Sequence, residues 1–262
     1  MATTNLQNKM AQLGLYPKHF QTLVYPKEEA IQNAQNEYSA PTTGQRVTFW
    51  TDGSRRLEGD NTTGAAVVHR RNHDRAMPRW AVWAYCFAKS TANSDTPELY
   101  SITQALYEAE RHCETQHNPA NSLDPQTSGK AVVIYSDCTN AFDMLKWERK
   151  INLDQLDLIT TAHRHMRKLN DMGWVVYLIY VPAHKGIGGN EVADKNAQLA
   201  TARPLKDHEI RNFHTVLHGV YCVDVSSTRP NWAGQKRKAE EGMNDEDAYR
   251  APSALRCEDD NK

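Results

Sequence analysis

Apolar and polar side chains alternate over 46–50, 64–69 and 80–87, with β-branched and aromatic residues among the apolar places, and this predicts three successive strands. Turns that are rich in Gly, Asn and Asp or contain Pro separate them, which fits an antiparallel meander. From Pro97 the period changes. Leu99, Ile102, Leu106 and Ala109 recur at three- and four-residue spacings, predicting a helix with Pro97 in its first turn. A polar stretch over 113–130, with Pro119, Pro125 and Gly129, reads as an exposed loop. The continuous apolar run 131–135 predicts a strand covered on both faces. Amphipathic helices are expected over 141–149 and 153–169, the second ending near Gly173, then a last strand over 174–181 and a last helix over 191–202. The order is βββαβααβα: a mixed five-stranded α/β sheet, three antiparallel strands followed by parallel crossovers, flanked by helices.

The periodic pattern fades at both ends. Residues 1–45 are rich in Gln, Asn, Thr and Pro and read as a loosely structured extension with one helix over 27–36. The core is expected over 46–204. Residues 205–262 read as a mostly disordered extension, with Lys, Arg, Glu, Asp and Asn dominating from Gln235.

Composition narrows the classes. Thirty-one basic residues against thirty-two acidic ones leave a formal charge of −1, so contact with a polyanion has to come from local patches. Five scattered cysteines without a CxxC pair argue against a disulfide framework or a zinc ribbon. The polar opening stretch shows no secretory signal, and the longest apolar run, 174–181, is too short for a bilayer. An intracellular protein, cytoplasmic or nuclear, without a membrane partner is expected. Lys236, Arg237 and Lys238 resemble a short nuclear-import signal, although three basic residues ahead of Glu240 and Glu241 are more often ordinary tail.

Four acidic residues fall where backbone elements would hold them near one sheet edge. Asp52 ends the first alternation and Asp137 follows the buried 131–135 run; Glu98 and Asp194 lie early in helices. Each has an ordinary alternative: Asp52 as a turn residue, Glu98 as a helix-dipole partner, Asp137 as a helix cap, Asp194 as part of a solvated face. Together they suggest a metal centre. Clustered carboxylates raise each other's pKa unless a cation sits among them, and an all-oxygen set selects Mg²⁺ or Mn²⁺ over zinc. Two such ions suit phosphodiester hydrolysis.

The motifs around these residues resemble the type 1 ribonuclease H family over about 46–202. They are Thr51, Asp52, Gly53 and Ser54; Pro97, Glu98 and Leu99; Ser136, Asp137 and Cys138; and the run from Val181 through His184 and Gly186 to Asn190, Glu191 and Asp194. The resemblance implies an RNase H-like fold and endonucleolytic hydrolysis of the RNA strand of RNA–DNA hybrids, leaving 5′-phosphate and 3′-hydroxyl ends; a monomer is expected. It implies that Asp52, Glu98, Asp137 and Asp194 hold two Mg²⁺ ions, for which Mn²⁺ substitutes, with Asp137 between both. Glu98 would also sense the 2′-hydroxyl, and His184 would assist proton transfer or product release. Gly53, Ser54, Asn93, Cys138 and Asn190 are the implied substrate contacts. Cys138 departs from the Ser usual after the third acidic residue. Lys146, Trp147, Arg149 and Lys150 are a reduced counterpart of the basic, Trp-rich protrusion of some members, or simply a solvated helix face. The alternative is a non-catalytic hybrid-binding or scaffold module derived from such an enzyme, which the loss of a carboxylate would have favoured. Related nucleases acting on DNA lack the motif from His184 to Asp194. Descent from a mobile-element polyprotein is a further possibility.

Overall fold

The computed structural model describes residues 20–40, 45–55, 63–70, 79–87, 95–116, 129–201 and 219–224. In chain order its elements are β1 (Phe20–Leu23), α1 (Lys27–Ser39), β2 (Arg46–Arg55), β3 (Thr63–Arg70), β4 (Arg79–Phe87), α2 (Asp95–Gln116), β5 (Ala131–Ser136), α3 (Thr139–Leu145), α4 (Leu153–Asp171), β6 (Val175–Tyr180), α5 (Gly188–Thr201) and β7 (Gly219–Asp224). From β2 to α5 the order is the expected βββαβααβα. The sheet runs β1-β6-β5-β2-β3-β4-β7. Its β1, β6, β5 and β2 are parallel, while β2, β3, β4 and β7 form the antiparallel half.

The period-two alternation builds two cores, because successive side chains leave opposite faces of a strand. On one face Val47, Phe49, Val132, Ile134, Val176 and Leu178 pack with α2, α3 and α4. On the other Trp50, Val68, Val82, Val133, Tyr135 and Ile179 pack with Ala34 of α1 and Ala193 of α5. The central strand β5 is therefore covered on both sides, as its unbroken apolar run requires.

Two strands lie beyond the five expected. β1 has four residues, too few for an alternation to register, and it pairs alongside β6. β7 lies within the polar 205–262 stretch and pairs with β4. Residues 27–39 also do more than an extension would. α1 buries Ala30 and Ala34, and its Glu37 accepts from Arg46 Nε and Nη2 at 2.6–3.0 Å and from Thr48 Oγ1 at 2.5 Å. Two element ends differ for local reasons. α2 continues to Gln116, because Cys113, four residues after Ala109, extends its buried stripe. α3 stops at Leu145 instead of 149, because Trp147 takes a left-handed φ of 61°. There the Trp147 amide donates to Met144 O and the Glu148 amide to Asp143 O, the hydrogen bonds of a Schellman cap. Trp147 holds the position where Gly is usual, and its indole is 2% exposed and stacked 6.0 Å from the His163 ring.

Cys86, Cys113 and Cys138 are free thiols. Among the described residues no helix is long and apolar enough to cross a membrane.

Candidate active site

The site grows from the register of two parallel strands. Trp50 of β2 sits opposite Tyr135 of β5. Two residues further along each chain come Asp52 and Asp137, so the two carboxylates occupy matching places on neighbouring chains spaced ~4.8 Å apart. Thr51 Oγ1 ties the chains by donating to Tyr135 O at 3.0 Å. Asp137 is not the cap of α3. That position belongs to Cys138, which makes no side-chain capping bond.

Glu98 arrives from the first turn of α2. A Cβ on Gly53 would stand 2.5 Å from the Glu98 amide nitrogen and 2.6 Å from the Pro97 carbonyl carbon, so only glycine lets the helix start rest on β2. Gly53→Ala is expected to displace this turn and lower metal-dependent activity about 10- to 100-fold, as disturbed metal-ligand supports commonly do. Assays across a Mg²⁺ titration check this; parent-like activity would contradict it.

Carboxylate oxygens of Asp52, Glu98 and Asp137 all lie within 4.8 Å of one another. Ligand atoms of His184, Glu191 and Asp194 form a second such group, in which His184 Nδ1 is 3.4 Å from Asp194 Oδ2. Charge joins the groups. Burial, then the charges of Asp137 and Asp194, pushes the Asp52 carboxyl up to about 9. Burial, then Asp52 and Asp137, holds Glu98 well above the usual carboxylate range. Asp137 is raised by burial and by Asp194, against the opposing pull of its own amide and of His184. Turn and dipole roles alone do not account for the Asp52 and Glu98 carboxylates buried beside each other, whereas Asp194 is one-fifth exposed and accepts from Gln198 Nε2 at 2.6 Å.

A hard cation fits these residues. Glu98 Oε2 is buried and has no hydrogen-bond partner, an arrangement that costs ~1–3 kcal/mol or more unless a counter-charge meets it. Three oxygen donors with raised proton affinity and no sulfur or nitrogen among them suit Mg²⁺ or Mn²⁺.

The RNase H family model matches residues 44–202. The chain belongs to the RNase H family. Solved structures similar to it include RNase H1 from the halophilic archaeon Halobacterium salinarum NRC-1, at 18% identity over 59% of this chain and 96% of that one, TM-score 0.37. LC9-RNase H1, a type 1 RNase H with the type 2 active-site motif, matches at 18% identity over 80% and 93%, TM-score 0.44. LC11-RNase H1, solved in complex with an RNA/DNA hybrid, matches at 15% over 60% and 96%, TM-score 0.38. Comparison with curated proteins finds no match.

Around the carboxylates of this RNase H domain, the remaining candidates are unevenly placed. Gly53 and Ser54 continue β2 beyond Asp52. Cys138 is half-buried, and burial, reinforced by Glu98, pushes its thiol up to about 12, so it stays protonated. Asn190 is 2% exposed in the first turn of α5 with Oδ1 unpartnered, so direct contact with a substrate requires that turn to yield. Asn93 and the basic triplet at Lys236 lie outside the described residues. The counterpart of the basic protrusion is not an open cationic handle: Trp147 is buried, Lys146 pairs with Asp143 and Glu148 at 2.9 and 2.6 Å, and Arg149 pairs with Asp95 at 3.1 Å. Only Lys150 of the four stands exposed without such a pair.

Glu191 lies in the last motif but was given no role by the sequence reading. Its Oε1 accepts from the Gly186 amide at 3.0 Å and so holds the His184 loop, whose His184 has φ 52°. A signal was present, since Glu191 precedes Asp194 by three residues and shares its helix face.

Proposed function

We propose that this RNase H domain hydrolyses the RNA strand of RNA–DNA hybrids, leaving 5′-phosphate and 3′-hydroxyl ends, with two Mg²⁺ ions that Mn²⁺ can replace. The observation that carries this reading is the cluster of buried Asp52 and Glu98 with half-buried Asp137, their carboxylate oxygens within 4.8 Å of one another. Asp52, Glu98, Asp137 and Asp194 would hold the ions. Bound there, such ions supply an activated water and stabilise the leaving oxygen of an in-line displacement.

The chain's own residues do the rest. Glu98 presents an acceptor to the 2′-hydroxyl, the group that distinguishes RNA from DNA at one position. His184, on an exposed loop, has Nδ1 turned to Asp194; with the proton on Nδ1, Nε2 is the atom free to take up or release a proton near the departing strand. Gly53, Ser54 and Cys138 border the carboxylates and meet the backbone of the bound strand. A whole-chain charge of −1 leaves affinity to local contacts, so binding is salt-sensitive.

The test is an end-labelled hybrid incubated with protein and Mg²⁺, beside duplex DNA, duplex RNA and both single strands. Cleavage confined to the RNA of the hybrid, and abolished by chelator, is the expected result. Metal-loaded protein that binds hybrid without cutting it would establish the non-catalytic binding module instead.

A further inference from the structure

The first turn of α2 carries Glu98, and it is held from outside as well as from β2. Asp95, 7% exposed, receives Arg149 Nη2 at 3.1 Å on Oδ2 and Asn140 Nδ2 at 3.2 Å on Oδ1. Arg149 Nη1 also donates to Asn140 Oδ1, closing a three-residue ring. One residue on, Thr96 Oγ1 accepts from Gln155 Nε2 at 3.2 Å. Gln155 is itself fixed by the capping box at the start of α4, where Asn152 N donates to Gln155 Oε1 at 3.0 Å and Gln155 N donates to Asn152 Oδ1 at 2.9 Å.

These partners converge because the chain turns back at Trp147. Its left-handed backbone, a conformation that costs a non-glycine residue ~1–3 kcal/mol, is over-determined by the buried indole. Arg149, two residues later, is thereby returned across α3 to the start of α2. The electrostatics agree with the geometry: the charge of Asp95 is felt at both Glu98 and Cys138, so a guanidinium on Asp95 offsets a negative charge beside the carboxylate cluster.

We propose that Arg149, with Asn140 and Gln155, is a positioning device for Glu98: the segment between α3 and α4 locks the first turn of α2 so that Glu98 meets the metal in place. Residues that support metal ligands in this way typically govern affinity by 10–100-fold. The proposal rests on the metal-centre reading above. It assigns to Arg149 a role distinct from the phosphate contact that its place in a basic run suggests.

The test measures Mn²⁺ binding by calorimetry without nucleic acid, alongside kcat and KM on the hybrid and the melting temperature. Arg149→Ala should bind Mn²⁺ about tenfold more weakly than the parent and lower kcat at fixed metal, with kcat recovering as metal is raised. Arg149→Lys keeps the charge but loses the paired hydrogen bonds and should recover part of the affinity. Gln155→Ala should shift affinity the same way by a smaller factor. If Arg149→Ala is too unstable to titrate, Arg149→Lys decides: weaker Mn²⁺ binding supports the proposal, parent-like binding overturns it. Parent-like Mn²⁺ affinity in Arg149→Ala, with only KM for the hybrid raised, likewise overturns it and makes Arg149 a nucleic-acid contact. A parent protein that binds Mn²⁺ but cuts no hybrid removes the proposed function while leaving this positioning role to be read from the calorimetry.

Discussion

Asp137→Asn is expected to reduce hybrid cleavage by roughly 10³-fold or more, a loss of ~4 kcal/mol in transition-state stabilisation. The substitution changes almost nothing in volume and leaves the β2–β5 register intact, so the loss is one of charge and ligation. Asp137 stands among the other three carboxylates. Asp52 shares its register position on the neighbouring strand, Glu98 comes in on a helix, and Asp194 reaches both strand residues through charge. An amide at 137 cannot supply the negative oxygen that such a centre needs, and it removes one of the charges that raise Asp52. Single-turnover assays at saturating hybrid, repeated over Mg²⁺ and Mn²⁺ titrations, measure the effect. Retention of more than about a tenth of parent activity would show that the chemistry does not pass through this residue.

Much of this site was legible because its supports are periodic. The alternation through Val47 and Phe49 ends at Asp52, and the apolar run 131–135 points directly at Asp137; a strand pattern that stops at an acid marks a strand end, and strand ends are where sites in α/β sheets form. Glu98 and Asp194 were legible from helix starts. What the pattern could not carry was partnership across the chain. Glu37 with Arg46 joins a helix to a strand nine residues on, and Arg149 with Asp95 joins residues more than fifty apart; neither leaves a periodic trace. The run Lys146 to Lys150 shows the same limit in reverse. Its composition suggests an exposed cationic face, yet one left-handed residue accompanies a buried Trp and an Arg paired with Asp95, a backbone choice that side-chain chemistry alone predicts against. The edge strand β1 was missed because four residues are too little signal, whereas β7, Gly-Val-Tyr-Cys-Val-Asp, carries an apolar run that was passed over inside a segment polar as a whole.

The carboxylate cluster also sets how stability depends on pH, and the sign differs from that of an ordinary ion pair. The Asp52 carboxyl, near 4 in an unfolded chain, stands at about 9 in the folded one through burial and its acidic neighbours. Between those values the folded state holds a proton that the unfolded state has released, so without metal this group makes stability fall as pH rises from about 4 towards 9. Asp52→Asn removes the penalty. In chelator at pH 8 it should raise the melting temperature above that of the parent, and the gain should vanish near pH 4. Mg²⁺ reverses the ranking. The parent binds the ion through the deprotonated carboxylate and gains stability with metal concentration and with pH, whereas the variant has lost a ligand and gains less. Melting curves of both proteins from pH 4 to 9, with chelator and with Mg²⁺, test the linkage. A parent whose stability in chelator is flat or rises across that range would mean that Asp52 is not held protonated by its neighbours, and that the charge crowding which prepares the site for a cation is absent.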